Sequence, residues 1–152
     1  MKNQLIILAM YTAILASCNN QSKQKATSEL PAKMNEPTTC FSFVENNDKV
    51  LMNITITDDL VEGDLFYKYS GKDKNSGKIK GQMYGDTLVA DYTFMSEGVN
   101  SVREVAFLKK DNVWNEGYSE VEEQKGKTVF KNRSALKFEN KMPLIKTECN
   151  TN

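Results

Sequence analysis

From Val50 onward the chain alternates. Val50, Met52, Ile54 and Ile56 interleave with Leu51, Asn53, Thr55 and Thr57, the period-2 mark of a strand with one buried face. After the turn Asp58-Asp59 the alternation resumes at Val61, Leu65, Tyr67 and Tyr69, with Gly63 in the same row. Ser70 to Gly77 reads as a polar loop, Ile79, Gly81 and Met83 as a strand row, Gly85-Asp86 as a turn, and Leu88, Ala90, Tyr92 and Phe94 as the next row. Val102 to Leu108, Val113 to Glu122, Thr128 to Phe130, Ala135 to Phe138 and Leu144 to Thr147 continue the series, with turns at Lys110-Asp111-Asn112 and Gln124-Lys125-Gly126.

Nine or ten short strands joined by short connections must pair antiparallel, because a parallel pair needs a crossover of about a dozen residues or more. A meander of that size hides its edges by closing or by splitting into two sheets. The pattern therefore predicts an all-β fold of about eight to ten strands, a closed or nearly closed lipocalin-like barrel, with a β-sandwich as the alternative. Gly63 and Gly81 fall where sharp strand coiling or bulges are needed.

The beginning of the chain departs from this pattern. Leu5 to Ala16 is almost wholly apolar, too short to cross a bilayer core, which needs about 20 residues, but of a length suited to a secretory signal. The residues Leu15-Ala16-Ser17-Cys18 resemble a bacterial lipobox. That resemblance implies a signal peptide over 1–17 and acylation of Cys18, with two or three acyl chains giving stable anchoring. From Asn19 to Thr39 the chain is polar, with Pro31 and Pro37, and has too little to bury to offset its ordering entropy. Residues 18–39 thus read as a disordered tether, about 25 Å from end to end as a flexible coil. The domain follows at 40–149, and 150–152 is a tail. Asn19 and Asn20 are not the acidic pair that retains some lipoproteins at the inner membrane, so the outer membrane is the expected address.

With Cys18 acylated, two of the three cysteines remain, Cys40 and Cys149, one at each limit of the domain. In an oxidising envelope such an even pair reads as a disulfide. Charge adds little. The chain has 20 basic and 20 acidic residues, and removing Lys2 with the signal leaves 19 against 20. Without a basic excess there is nothing to attract nucleic acid, and the expected partners are the membrane, through Cys18, and a small ligand or an envelope protein.

There is no histidine. That removes the commonest general base and the commonest transition-metal ligand. Asp73 to Gly77 resembles a calcium loop only faintly, since its glycine falls one position early, so neither a metal nor a cofactor is expected. Glu97, Glu104, Glu116, Glu120, Glu122 and Glu123 could supply an acid–base pair, but they read as the solvated faces of strands, with Glu116, Glu120 and Glu122 on a face that meets water. The expectation is a protein that is not an enzyme.

The informative segment is SVREVAFL. Its two faces are Ser101, Arg103, Val105, Phe107 and Val102, Glu104, Ala106, Leu108, so either choice takes a charge toward the core. A buried charge must be paired or held for a ligand of opposite sign. Arg103 inside would suit a carboxylate or phosphate head group, or would pair with Glu97 or Glu104. Tyr92 and Trp114 are read as core residues, with a rim site as the alternative for Trp114, and both join Arg103 and Glu104 as candidate ligand-site residues. Asp86-Thr87-Leu88 resembles a short O-glycosylation acceptor, but a strand turn accounts for it equally.

The segments GDTLVADYTF, SEGVNSVREVAFL and EGYSEVEE resemble small lipoproteins of Bacteroidota, especially flavobacteria, over most of the region from Phe41 to Cys149. The resemblance implies a lipid-anchored envelope protein and carries no activity. Its expected function is to bind a small apolar or anionic ligand or a protein partner. The alternative is a structural or assembly accessory of the envelope.

Overall fold

The computed structural model describes residues 36–96 and 98–149. The expected signal peptide, lipidated Cys18, the tether as far as residue 35, Glu97 and the tail lie outside the described residues. Among the described residues the sequence pattern is realised as eleven strands: β1 (Thr39–Glu45), β2 (Asp48–Thr57), β3 (Leu60–Lys68), β4 (Asn75–Tyr84), β5 (Thr87–Ser96), β6 (Val99–Lys110), β7 (Val113–Tyr118), β8 (Val121–Gln124), β9 (Lys127–Phe130), β10 (Lys137–Phe138) and β11 (Leu144–Thr147). A 3₁₀ turn, Arg133–Ala135, follows β9.

Strands β1 to β7 form an antiparallel meander, and β11 pairs with both β7 and β1. Eight strands thereby close a barrel, and the sandwich alternative is set aside. β1 is an addition to the sequence reading: CFSFV shows period 2 only once Phe41 and Phe43 are seen to pair with Met52 and Val50. The expected strand Val113 to Glu122 breaks after Tyr118, where the chain leaves the barrel to form the β8–β9 hairpin.

One end of the barrel carries the turns β2–β3, β4–β5 and β6–β7 together with the chain's entry into β1. At β6–β7, Asp111 and Asn112 both have positive φ, 51° and 64°, the backbone that a two-residue hairpin turn of matching twist requires. Here Cys40 and Cys149 are disulfide-bonded, with Cα atoms 5.2 Å apart, tying the strand that opens the barrel to the end of the strand that seals it. We call this the disulfide end.

At the opposite end the barrel flares. Pairing of β7 with β6 stops at Gly117 opposite Ala106. Beyond that point β9 lies beside β6, parallel, with Thr128 opposite Arg103, and β10 lies beside β7, with Phe138 opposite Gly117. At Gly117 a Cβ would strike the Phe138 ring, so a larger residue here would have to displace that ring. Inside, Gly81 lets β4 and β5 approach closely, since its Cβ would meet the Val89 carbonyl and Ala90.

The barrel is filled by Phe41, Met52, Ile54, Leu65, Tyr67, Ile79, Leu88, Tyr92, Phe107, Trp114 and their neighbours. Tyr92 and Trp114 are core residues, as expected, at 0% and 1% exposure.

Candidate functional site

Cross-strand neighbours share a face, and register assigns the charges of β6. Arg103 lies opposite Tyr92, and Val105 opposite Ala90; Tyr92, Ala90 and Val105 are core, so Arg103 faces the interior. Glu104 is on the outer face. It is not a ligand-site residue of the interior and does not pair with Arg103, which corrects both expectations. Strand alternation sends consecutive residues to opposite sides of the wall.

Glu104 is nonetheless buried, 6% exposed, because the segment after β8 folds back over it. Arg133 Nη2 donates to Glu104 Oε1 at 2.5 Å and Arg133 Nε to Oε2 at 3.4 Å, while the Phe130 N–H donates to Oε2 at 3.2 Å. Lys127 pairs with Asp91 alongside. These contacts clasp the strap over β5 and β6 where β7 has left the wall.

Inside the flared end, the Arg103 guanidinium lies 5.1 Å from the Tyr67 ring centroid, 5.5 Å from Tyr92 and 5.6 Å from Phe94. Tyr92 and Phe94 are stacked, 4.7 Å apart, and Tyr67 meets Tyr92 edge-on at 5.7 Å. Three aromatic faces around one cation stabilise it where hydration is thin. They do not accept its hydrogen bonds. Among the described residues Arg103 makes no ion pair, and its Nε–H is buried without an acceptor, as is the Tyr92 hydroxyl opposite it. Burial pushes the Tyr92 hydroxyl up to about 12, with the Arg103 charge pulling the other way.

The carboxylate nearest in charge to Arg103 is on the neighbouring strand β7, and the sequence reading placed it wrongly. Glu116 was expected on a water-facing side of its strand. It faces the interior, two residues from the core Trp114 and directly opposite the core Phe107. Oε1 accepts from Tyr67 Oη at 2.9 Å and Oε2 from Tyr118 Oη at 3.0 Å. Burial holds the Glu116 carboxyl above the usual range, while the two tyrosines and the Arg103 charge offset part of that rise. Tyr67 and Tyr69 are raised by burial and then by the Glu116 charge. The signal that could have found Glu116 was parity: if Trp114 is core, so is position 116.

Glu116 also forms part of the wall of a cavity of about 370 Å³ with Tyr118, Lys137, Glu139, Lys141 and Met142. This volume is at the small end of ligand-sized pockets. The flared end thus presents a cationic group with one buried donor unused and a carboxylate with two of its four acceptor sites used, both set among tyrosines. No nucleophile–base pair accompanies it among these residues.

The fold and site together define a closed eight-stranded antiparallel barrel with an arginine held inside its flared end. Compared with known protein families, with curated proteins and with solved structures, the chain matches none.

Proposed function

We propose that the chain is a non-enzymatic, lipid-anchored lipoprotein of the bacterial cell envelope, at the outer membrane, that binds a small anionic ligand in the flared end of its barrel. The lipobox-like Leu15-Ala16-Ser17-Cys18 and the polar segment after it support the anchor. β1 begins at the disulfide end, so the flared end is the one remote from where the tether joins the domain. The likeness to flavobacterial lipoproteins belongs to this same reading.

The observation that carries the ligand is Arg103: a guanidinium inside an apolar barrel, ringed by Tyr67, Tyr92 and Phe94, with a buried donor left unsatisfied. Leaving such a donor unpaired costs about 1–3 kcal/mol, which a carboxylate or phosphate oxygen would recover. Native mass spectrometry of protein purified from membranes tests it. The expected result is a co-purifying organic anion that Arg103→Met loses while thermal unfolding stays cooperative. Retention of the same adduct by the variant, or bare protein mass in the wild type, refutes the site.

A second reading has its own support. Val44, Met95, Val99, Tyr118 and Val121, all near the flared end, are 65%, 58%, 63%, 47% and 49% exposed. Five of the eight exposed large apolar side chains among the described residues lie toward this end, which suits a protein partner, in keeping with an assembly accessory. Loss of in-cell cross-links to a discrete partner in Val99→Asp, with the adduct unchanged, would favour this reading over the ligand.

A further inference from the structure

We propose a second binding site at the disulfide end of the barrel, separate from the Arg103 site, that takes a small amphiphilic carboxylate. A cavity of about 290 Å³ opens there, with Phe41, Ile54, Ile56 and Trp114 as its apolar floor and Lys109 and Lys146 on its wall. Register explains the pairing of grease and charge. Lys109 is directly opposite Trp114 and Lys146 directly opposite Phe41, so both lysines occupy positions on the interior face, one step beyond the core.

Lysine at the last inward position of a strand can bend its stem to water. Two of them above one apolar floor form something more particular. Neither is ion-paired among the described residues, and Trp114 below them, 1% exposed, has a buried Nε1–H with no acceptor. Phe41 meets Trp114 edge-on at 6.0 Å, which fixes the indole in place. Glu36, where the chain enters β1, contributes the opposing charge to the lining, leaving one net positive charge from these three groups. An apolar floor, two free ammonium groups and an unsatisfied indole donor match a monoanion with a short apolar body. The volume limits that body to a short or medium chain, since ligand pockets start near about 300 Å³.

The chain carries its own reporter, because Trp114 is its one tryptophan. The experiment titrates octanoate into the full chain held in neutral phosphatidylcholine nanodiscs, reads Trp114 emission, and subtracts octanoate uptake by empty discs. The expected result is a saturable change in Trp114 emission that weakens with added salt. Lys109→Ala/Lys146→Ala should lower the affinity about tenfold, as expected for losing two charge-assisted contacts of modest strength. Glu36→Gln should tighten it, and Arg103→Met should leave it unchanged. No saturable response, or equal affinity in the double lysine variant, overturns the site. Loss of the response in Arg103→Met overturns its separateness, because the octanoate would then be at the flared end.

Discussion

The clasp on the outside of the barrel allows a prediction worked from its geometry. Glu104 has a side chain only 3% exposed, whereas that of Arg133 is 54% exposed, so removing one partner is not equivalent to removing the other. In Arg133→Met the carboxylate loses both guanidinium hydrogen bonds and keeps only the Phe130 N–H. Breaking a buried pair in this way costs about 3–5 kcal/mol, and the low end applies because water can follow the departing half-exposed arginine, hence about 3. In Glu104→Met the arginine returns to water and the apolar stem still packs. What is lost is the acceptor for the half-buried Phe130 N–H, about 1.5 kcal/mol. The double variant has no stranded charge and should also lose only about 1.5 kcal/mol. The cycle therefore predicts a coupling of about 3 kcal/mol, with Arg133→Met the least stable of the three variants. For a domain of this size, each kcal/mol lowers Tm by about 4 °C, giving a drop of about 12 °C for Arg133→Met and about 6 °C for the other two. Thermal and urea unfolding of the four proteins measure it. Additive losses, or an Arg133→Met variant within about 0.5 kcal/mol of wild type, would mean that the pair behaves as an ordinary screened surface contact and refute the reasoning.

Three further outcomes follow from the same structure. Reducing Cys40–Cys149, which spans 109 residues, should lower stability by up to about 4.7 kcal/mol in the chain-entropy limit; an unchanged urea midpoint after reduction would show that the barrel seam holds without it. Glu116 has its folded pKa raised, so its ionisation opposes folding: its contribution is fully present below the unfolded value, about 4.3, and is lost as pH rises through the folded value. Glu116→Gln should therefore flatten the decline in Tm between the unfolded and the folded values, and a variant with the wild-type pH profile would show that Glu116 does not drive it. Replacing Cys18 by Ser should abolish the acyl adduct by mass spectrometry and release the protein from membranes without detergent; a variant that stays membrane-bound, with no adduct on the wild type, would refute the anchor.

The alternation in residues 50–147 was sufficient to predict an all-β antiparallel chain, because side-chain period depends only on local backbone geometry. It also carried the split of Arg103 and Glu104 onto opposite faces and the core positions of Tyr92 and Trp114, while the cysteine count carried the pair at the domain limits. Other features depend on residues distant in sequence. β1 has few alternating apolar positions of its own, and becomes a strand through partners at Met52 on one side and Lys146 on the other. Glu104 looked solvent-facing or ligand-facing, and is covered only because a strap from 127–135 returns across it. Glu116 was hidden among a run of glutamates that suggested a wet face, although its parity with Trp114 pointed inward. Closure of the barrel brought it to Tyr67 of β3, and no local pattern encodes which strand lies across a barrel. Sequence alone thus determined which face each residue takes along its strand. Tertiary structure decided what each face meets, because the meeting partners are set by ring closure and by the path of the strap.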